Sequence, residues 1–597
     1  MKLGSLDILI VVVYFVVTLL VGIISSRKSG KSFSDFFLAG RSMPWWLLGI
    51  SMVATTFSNE TPNAVTDIVR SNGVANNWVW WAFLLTGMST VFIYAKLWRR
   101  SNVVTDLEFY EIRYSGKIAR FLQGFRAIYL GLLFNVLIMA SVSLAMIKIS
   151  GVMFGVDPVT TLIVTLGIVL LYSVIGGFLG VLLTDLFQFI VAMVGAFYAA
   201  FYVLSMPEVN GFSGLINNPL VKDALTLFPD FSNMEMAMGV IIIPLTVQWW
   251  ASWYPGSEQG GGGYVAQRML AAKNEKDSVW AVLFFNVCHY ALRPWPWIIV
   301  ALASMIVYPD IASLQNAFPH MNPNIVKNDL AYPAMLSLIP VGWLGIIVAS
   351  LIAAYMSTMS THLNWGSSYI VNDFYKRCFR PNASEKEQVL MGRISIVILA
   401  VCSGFLAMAL ESAFKNFQYM ILFGAGTGLL FLLRWFWWRI NALSEIVAMC
   451  VSLVITLFLI IFYPQTGLPV LTEWQMLIIN VFITTVAWIL VVFFTKPTDA
   501  ETLISFVKKV KPGGPGWNKV YKDAEKMGIE IDSDTKAWDL PMGILLTVVG
   551  SIMVWSFVLC VGYFIFGQIV PAIILSVVGI VTLVWIIIGL KNLKYLN

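Results

Sequence analysis

Small and hydroxyl side chains cluster in the middle of one long apolar stretch of the chain. Four of them follow the spacing i, i+3, i+4 and i+7, which places them on one face of a helix, and a fifth lies at the edge of that face. In chain order these residues are Ala354, Ser357, Thr358 and Thr361, with Ser360 at the edge. Clustered oxygens of this kind can replace the hydration shell of a hard cation such as sodium. Small residues also suit close helix packing, with each hydroxyl bonded back to its own backbone. These five residues alone leave both interpretations open.

Glu60, Asp185 and Arg293 are among the charged side chains that fall inside apolar segments. A charge inside a bilayer is costly, so each is a functional candidate by default. Asp185 fits a cation site, although it could also cap a helix near the membrane surface. Glu60 could bind a sugar hydroxyl or a cation, or form a salt bridge without touching solute. Arg293 could pair with Glu60, grip an oxygen-rich or anionic solute, or extend to the membrane interface.

Two of the apolar segments are interrupted in the middle. The first break contains Glu60 and Pro62, and the second contains Pro255 followed by four glycines at 260–263. Irregular backbone at membrane depth persists only where protein or a water-filled cavity surrounds it. Two broken helices five spans apart match the first helices of two inverted repeats and point to a binding site near the membrane midplane. A kinked loop away from any site is the plainer interpretation of each break.

Aromatic residues precede the second break. Trp249 and Trp250 follow Gln248 directly. Sugar rings stack on aromatic faces, which makes these residues candidates for solute contact. Tryptophan is equally typical of the belt at a membrane interface.

The composition fixes the class of protein that must position these residues. Hydrophobic residues make up 59% of the 597 residues and charged residues 12%, and the mean hydropathy is +0.80. A soluble chain of this length cannot bury so much apolar surface, so we expect an all-α polytopic membrane protein. At roughly 20 residues a span, about fifteen segments qualify. They lie near 7–26, 44–70, 77–97, 120–152, 157–178, 182–206, 236–255, 278–308, 340–372, 388–411, 416–437, 441–463, 474–495, 541–566 and 568–592.

Short basic clusters between these segments predict the orientation. With fifteen spans and the N-terminus outside, every cluster falls on the cytoplasmic side, as does the C-terminus. The clusters are Arg27/Lys28/Lys31, Lys96/Arg99/Arg100, Arg268/Lys273/Lys276, Lys376/Arg377/Arg380, Arg434/Arg439, Lys508/Lys509/Lys511 and Lys591/Lys594. We therefore expect a multi-pass protein of the cell (plasma or inner) membrane. The polar stretch 496–540 shows no evident apolar periodicity and is expected to be a cytoplasmic linker.

Signatures of enzymes are missing from the sequence. It contains no HExxH motif and no Walker lysine, and its three histidines lack the spacing of metal ligands. We do not expect catalysis or nucleic-acid binding.

Four motifs give the chain a resemblance to a known family. They are Phe37-Leu-Ala-Gly-Arg-Ser-Met-Pro-Trp-Trp, Thr184-Asp185 with Gln188, Gln267-Arg268-Met-Leu-Ala-Ala-Lys273, and Asn372-Asp373-Phe-Tyr375-Lys376. Together they resemble the sodium:solute symporters, relatives of the sodium/glucose cotransporters, from about residue 7 to residue 440. The resemblance implies a LeuT-type 5+5 inverted repeat with one extra N-terminal helix and additional C-terminal helices. The expected divisions are 1–40 (extra helix and first loop), 41–206 (first repeat), 207–235 (extracellular loop), 236–440 (second repeat), 441–495 (additional helices), 496–540 (linker) and 541–597 (last helices).

The resemblance also implies sodium ligands. A site similar to the one shared across the family would use the backbone carbonyls of Ala54, Phe57 and Ala354 with the hydroxyls of Ser357 and Thr358. A second site, similar to one found in some members, would use Asp185 with Ser357, Thr358, Ser360 and Thr361. All the side-chain oxygens for that second site are present. We therefore expect one or two sodium ions to be co-transported.

Solute contacts follow less directly from the resemblance. Glu60 matches a sugar-contacting glutamate of the sodium/galactose branch, Thr61 stands where that branch has glutamine, and Arg293 where it has a pocket lysine. Gln418 matches a glutamine that touches sugar. The seventh span departs from the pattern of the sugar members, with Gln248-Trp-Trp and a Glu258-plus-tetraglycine insertion instead. That departure bears on the identity of the solute.

These observations predict a sodium-coupled secondary active symporter that imports a small polar solute, a sugar or sugar derivative, by alternating access. One alternative keeps the sodium coupling but changes the solute to an organic anion, such as a carboxylate or a sialic-acid-like sugar, or to an amino acid. A membrane sensor that binds solute without moving it is a second alternative. Sodium, the solute and the lipid bilayer are the expected partners.

Overall fold

The computed structural model of the chain describes residues 3–26, 38–56, 58–103, 105–173, 178–251 and 258–592. Within these ranges the regular structure is helical, apart from one isolated bridge between Met43 and Ala272. The predicted all-α class is confirmed. The predicted sodium ligand Phe57 lies outside the described residues, as do Phe37 of the first motif and the part of the second break at 252–257.

The membrane-spanning part is built from helices that follow the predicted segments. Within the described residues, ten helices are long and apolar enough to cross a membrane, and four more apolar helices are shorter. In chain order, we name the helices of the first half α1 (Ser5–Ser26), α2 (Trp45–Thr56), α3 (Glu60–Asn72), α4 (Val74–Ser101), α5 (Gly116–Phe154), α6 (Pro158–Ser173), α7 (Phe178–Ser205) and α8 (Met234–Thr246). Those of the second half are α9 (Gly263–Ala271), α10 (Glu275–Val307), α11 (Trp343–Phe379), α12 (Glu385–Ala409), α13 (Ala413–Ala425), α14 (Gly428–Leu433), α15 (Ala442–Thr466), α16 (Glu473–Phe494), α17 (Ala500–Val510), α18 (Asn518–Lys526), α19 (Leu540–Ile565) and α20 (Ile569–Asn592).

Both predicted interruptions occur in the structure. The second span is divided into α2, which ends at Thr56, and α3, which begins at Glu60. Pro62 lies in the first turn of α3, where a missing backbone N–H costs nothing because no helical partner exists for it. The seventh span is divided into α8 and α9, and the tetraglycine run ends at Gly263, the first residue of α9.

Helices α2, α7 and α11 pack against one another and form the centre of the molecule. Small residues allow the close approach. A Cβ atom at Gly195 of α7 would lie 2.8 Å from Ser350 Oγ of α11. The N-terminal helix α1 is fixed to the same group, because the buried Asp7 carboxylate accepts hydrogen bonds from the backbone N–H groups of Gly342 and Gly345, at 2.6 and 2.7 Å. These donors would otherwise have no partner at the start of α11.

The stretch 496–540 is folded, and the expectation that it lacks apolar periodicity was wrong. Helix α17 buries Leu503, Ile504, Val507 and further apolar residues on one face. Trp517 is fully buried, and its indole N–H donates a 3.1 Å hydrogen bond to the Trp435 carbonyl. The periodicity was hidden because it occupies only three turns within a polar segment.

Several basic residues of the predicted membrane flanks have buried side chains that lie beside carboxylates. Lys96 Nζ lies 3.0 Å from Asp539, and Arg434 lies 3.3 Å from Glu445. Arg268 is 1% exposed. Because these side chains interact with carboxylates of the protein, a basic residue near a helix end is not by itself evidence that the residue faces solvent.

Candidate functional site

A buried carboxylate on α7 lies between hydroxyls of two other helices. Ser357 Oγ of α11 donates to Asp185 Oδ1 over 2.6 Å, and Ser51 Oγ of α2 donates to Asp185 Oδ2 over 2.6 Å. Asp185 is 1% exposed, so little water can solvate its charge. An ionised carboxylate this deep requires a cation or further donors. Asp185 and Ser357, both predicted ligands of the second sodium site, are therefore in direct contact.

A protein cation lies beside the same carboxylate. The guanidinium of Arg268 on α9 lies 3.9 Å from Asp185 and donates to Ser51 Oγ, at 3.2 and 3.3 Å, and to Thr55 Oγ1, at 3.3 Å. The positive charge of Arg268 therefore shares the neighbourhood of Asp185 with any sodium ion bound there.

The end of α2 also meets the hydroxyl face of α11. Thr358 Oγ1 donates to the Thr55 carbonyl over 3.2 Å, and both Ala54 and Ala354 are buried in the same region. Carbonyl and hydroxyl oxygens from two helices are the ligand type that sodium requires.

The other two hydroxyls predicted for the second sodium site behave differently. Ser360 Oγ donates to the Ser357 carbonyl over 3.2 Å, within its own helix. Thr361 Oγ1 is buried and has no hydrogen-bond partner among the described residues. Thr361 thus retains an oxygen for an external ligand, whereas Ser360 is partly satisfied by its own backbone.

A second polar group lies at the start of α3. Glu60 is in contact with Ser58 and Ser141, and Ser58 Oγ lies 3.4 Å from Thr61 Oγ1. Glu60 Oε2 and both amide atoms of Asn63 are buried without a hydrogen-bond partner among the described residues. Buried polar atoms without partners are costly, so a polar ligand or water is expected here.

The guanidinium of Arg293 interacts with groups of the protein itself. It donates to the Val53 carbonyl over 3.2 Å, contacts His289 and lies 5.4 Å from the Trp297 ring. Within the described part of the chain, no ion pair joins Arg293 to Glu60. Its contact with the carbonyl of Val53 instead links α10 to the end of α2.

Gln248 and Gln418 line one cavity of about 580 Å³. Gln248 Nε2 also donates to the Val79 carbonyl over 2.6 Å. The cavity is lined by amides, aromatic rings and two carboxylates, including Asn72, Asn76, Phe417, Trp474, Glu235 and Glu473. The described residues that line it include no lysine or arginine. Its lining residues Asn76 and Val79 lie near the start of α4, about 30–35 Å along the helix from Arg99 and Arg100 at the other end.

The remaining solute candidates are placed elsewhere. Glu60, Thr61, Arg293, Trp249 and Trp250 do not line this cavity. The rings of Trp249 and Trp250 are 5.8 Å apart, and the Trp249 carbonyl accepts a hydrogen bond from Thr86. The structure thus separates the predicted solute residues into those that line this cavity, Gln248 and Gln418, and those that do not.

Sequence reasoning missed three residues of the site. Ser51 lies in an apolar helix with no motif around it, so nothing in the sequence marks it. Arg268 was visible within the Gln267-Arg268 motif but was assigned to a membrane flank. Asn63 lies three residues after Glu60, on the same face of α3, and that spacing was the available signal.

The helical architecture, the buried carboxylate and the oxygen-lined meeting of α2 with α11 define a polytopic transporter. Residues 36–454 match the sodium:solute symporter family. The chain belongs to that family, and sodium is therefore a co-transported ion.

Proteins with sequences or structures similar to this chain support its assignment to the family. The chain is 27% identical over 500 residues to a sodium/glucose cotransporter 4 from Danio rerio, covering 78% of this chain and 73% of the relative. It is 26% identical over 475 residues to a sodium/glucose cotransporter from Vibrio parahaemolyticus, covering 76% of this chain and 85% of the relative. A solved structure of a Na+-coupled sialic acid symporter, in a substrate-bound outward-open state, superposes with a TM-score of 0.63 at 21% identity. It covers 83% of this chain and 99% of that structure. That likeness confirms the expected LeuT-type fold.

Proposed function

We propose that this protein imports a neutral, hydroxyl-rich solute, a sugar or sugar derivative, together with two sodium ions. The observation that carries the choice of solute is the lining of the 580 Å³ cavity. Its amide side chains suit hydroxyl groups, its aromatic rings suit the apolar faces of a sugar, and its two carboxylates repel anions. The sugar cotransporters among the relatives support the same choice.

The stoichiometry of two ions rests on the separate positions of two oxygen groups. One is Asp185 with Ser357, and the other is the meeting of the Thr55 carbonyl with Thr358. Each inward sodium charge supplies about 2.3 kcal/mol per 100 mV of membrane potential. Two ions would therefore drive accumulation of solute far beyond what one ion can support.

Coupling follows from linkage. Sodium between α2 and α11 stabilises the position of α3, whose last residues Ser71 and Asn72 line the cavity, so solute binds there more tightly. Reciprocity then requires solute to tighten sodium binding by the same factor. The exposed residues of the basic clusters support an N-terminus outside and a C-terminus in the cytoplasm, with the cavity facing outward. These residues are Lys273, Lys276, Arg377, Arg380, Lys508 and Lys509.

A solute panel tests this proposal. Purified protein is heated in sodium chloride or choline chloride with hexoses, their amino and acidic derivatives, carboxylates and amino acids, and its unfolding temperature is recorded. We expect stabilisation by a neutral sugar only in sodium. Stabilisation by an acidic sugar or a carboxylate would favour the organic-anion alternative. Radiolabelled uptake into proteoliposomes with the best ligand then separates transport from sensing, since a sensor would bind without accumulation.

A further inference from the structure

The insertion that separates this chain from the sugar members has a defined place in the structure. Glu258 lies two residues before the tetraglycine run, and both oxygens of its carboxylate bind the guanidinium of Arg126 on α5, at 2.6 and 2.7 Å. Both side chains are 2% exposed. The arginine also lies over Phe431, with its guanidinium carbon 4.8 Å from the ring. A dry ion pair thus joins the broken seventh span to the fourth.

The glycines bring the backbone of this segment against α4. Gly260 and Gly261 have φ values of +80° and +82°, a region that favours glycine. A Cβ atom at Gly260 would lie 2.9 Å from the Tyr94 ring, and the Gly260 carbonyl accepts a 2.5 Å hydrogen bond from the Trp98 indole. Any side chain here would force the segment away from α4. The run of glycines is therefore needed for close packing of this half of the span.

The same segment is connected to the candidate sodium site. Helix α9 starts at Gly263, whose N–H donates to Asp106 over 2.8 Å, and carries Arg268, which lies beside Asp185. The segment therefore lies between the sodium ligands and the loop that follows Arg99 and Arg100. An ion leaving Asp185 toward that side must pass α9 or displace it.

We propose that Arg126 and Glu258 are positioning residues of transport, whose ion pair closes the pathway on the side of the basic clusters. Separating a buried ion pair in a dry interior is costly, but the cost falls steeply when water reaches both charges. Two arrangements of Arg126 and Glu258 are therefore favourable. In one the charges are paired and shielded from water, and in the other they are separated and hydrated. This is the behaviour required of a contact that must open and close once in each transport cycle. The proposal depends on sodium-coupled transport alone, so it stands whichever solute is carried.

A matched pair at the other end of the same helix supplies the control. Lys148 Nζ lies 2.5 Å from Asp329, with side chains 0% and 1% exposed. Lys148 follows Arg126 by about 33 Å along α5, which is close to the thickness of a bilayer core. Breaking this second pair should not open the side that Arg126 and Glu258 close.

The experiment measures access to Ala266, which is buried in α9. An Ala266→Cys reporter is introduced together with Cys378→Ser, since Cys378 is the exposed cysteine among the described residues. Inside-out membrane vesicles are treated with a charged maleimide in sodium chloride or choline chloride, and the labelling rate is measured. No solute is needed. A wrong choice of sugar would therefore fail the solute panel and leave this result unchanged.

We expect Glu258→Gln to raise the labelling rate by at least about tenfold in both salts, because it removes the ion pair while keeping the size of the side chain. The exchange Arg126→Glu with Glu258→Arg should restore slow labelling. Asp329→Asn should not raise the rate. The proposal would be overturned if folded Glu258→Gln protein were labelled at the wild-type rate. It would also be overturned if Asp329→Asn raised the labelling rate as much as Glu258→Gln does.

A variant that keeps both charges covers the case in which Glu258→Gln fails to fold. Gly260→Ala should raise labelling by pushing the segment from Tyr94. Gly167→Ala on α6, whose added methyl meets no atom within 4 Å, should leave it unchanged. Slow labelling in Gly260→Ala would count against closure by this segment.

Discussion

Ser357 donates a 2.6 Å hydrogen bond to Asp185, and the two residues belong to different helices, α11 and α7. They are separated by 172 positions in the chain, and both are buried. This contact brings the hydroxyl face of α11 to Asp185, the carboxylate of α7, which has little access to water. It is the geometric basis of the second sodium site that we propose.

Asp185→Ala should lower the sodium Hill coefficient towards one and weaken the apparent affinity for sodium, because the buried charge that attracts the second ion is removed. The measurement is initial uptake as a function of sodium concentration. Asp157→Asn serves as the control, since Asp157 lies at an exposed position. An unchanged coefficient above one would exclude Asp185 from the coupling site.

Ser357→Ala or Thr358→Ala should reduce sodium-driven uptake by at least about tenfold, equivalent to about 1.4 kcal/mol, because each removes the oxygen of a proposed sodium ligand. Ser350→Ala on the same helix is the control. The Ser350 hydroxyl donates to the Ile347 carbonyl over 2.8 Å and is therefore satisfied within the helix. Full transport by either variant in proteoliposomes would refute the assignment of these hydroxyls to sodium.

Gln418→Leu should raise the half-saturating solute concentration by about tenfold, as expected for one lost hydrogen bond to solute. Sodium affinity at saturating solute should change little, because Gln418 lines the cavity that also contains Gln248 and does not lie at the contact between α2 and α11. Gln465→Leu, at an exposed position, is the control. Equal effects of both substitutions would argue against a role of the cavity in binding solute.

Trp517→Ala should destabilise the protein by about 3–5 kcal/mol, because it removes a fully buried indole and leaves a cavity. Trp517 also packs 5.1 Å from the guanidinium of Arg113. The measurement is the unfolding temperature in detergent. Trp538→Ala, at a position 49% exposed, should lower it much less. A small effect at Trp517 would mean that α17 and α18 contribute little to the stability of the core.

The sequence by itself determined the class, the positions of the helices and the two interrupted spans. Apolar segments of membrane length and helix-breaking residues act locally, so each could be identified without knowing its neighbours. The hydroxyl face of α11 was visible for the same reason, since helical spacing places residues 354–361 together. Asp185 was identified because a lone charge in an apolar run is costly wherever it packs.

The tertiary structure decided what each charge pairs with. Arg268 is fully buried beside Asp185, 83 positions earlier in the chain, and Glu258 binds Arg126 across two spans. Arg293 contacts the Val53 carbonyl. None of these pairings follows from local spacing, because the partner of a buried charge depends on which helices pack together. The strength of an electrostatic interaction depends on the distance between the two charges. That distance is set by the packing of the helices and not by the separation of the residues along the chain.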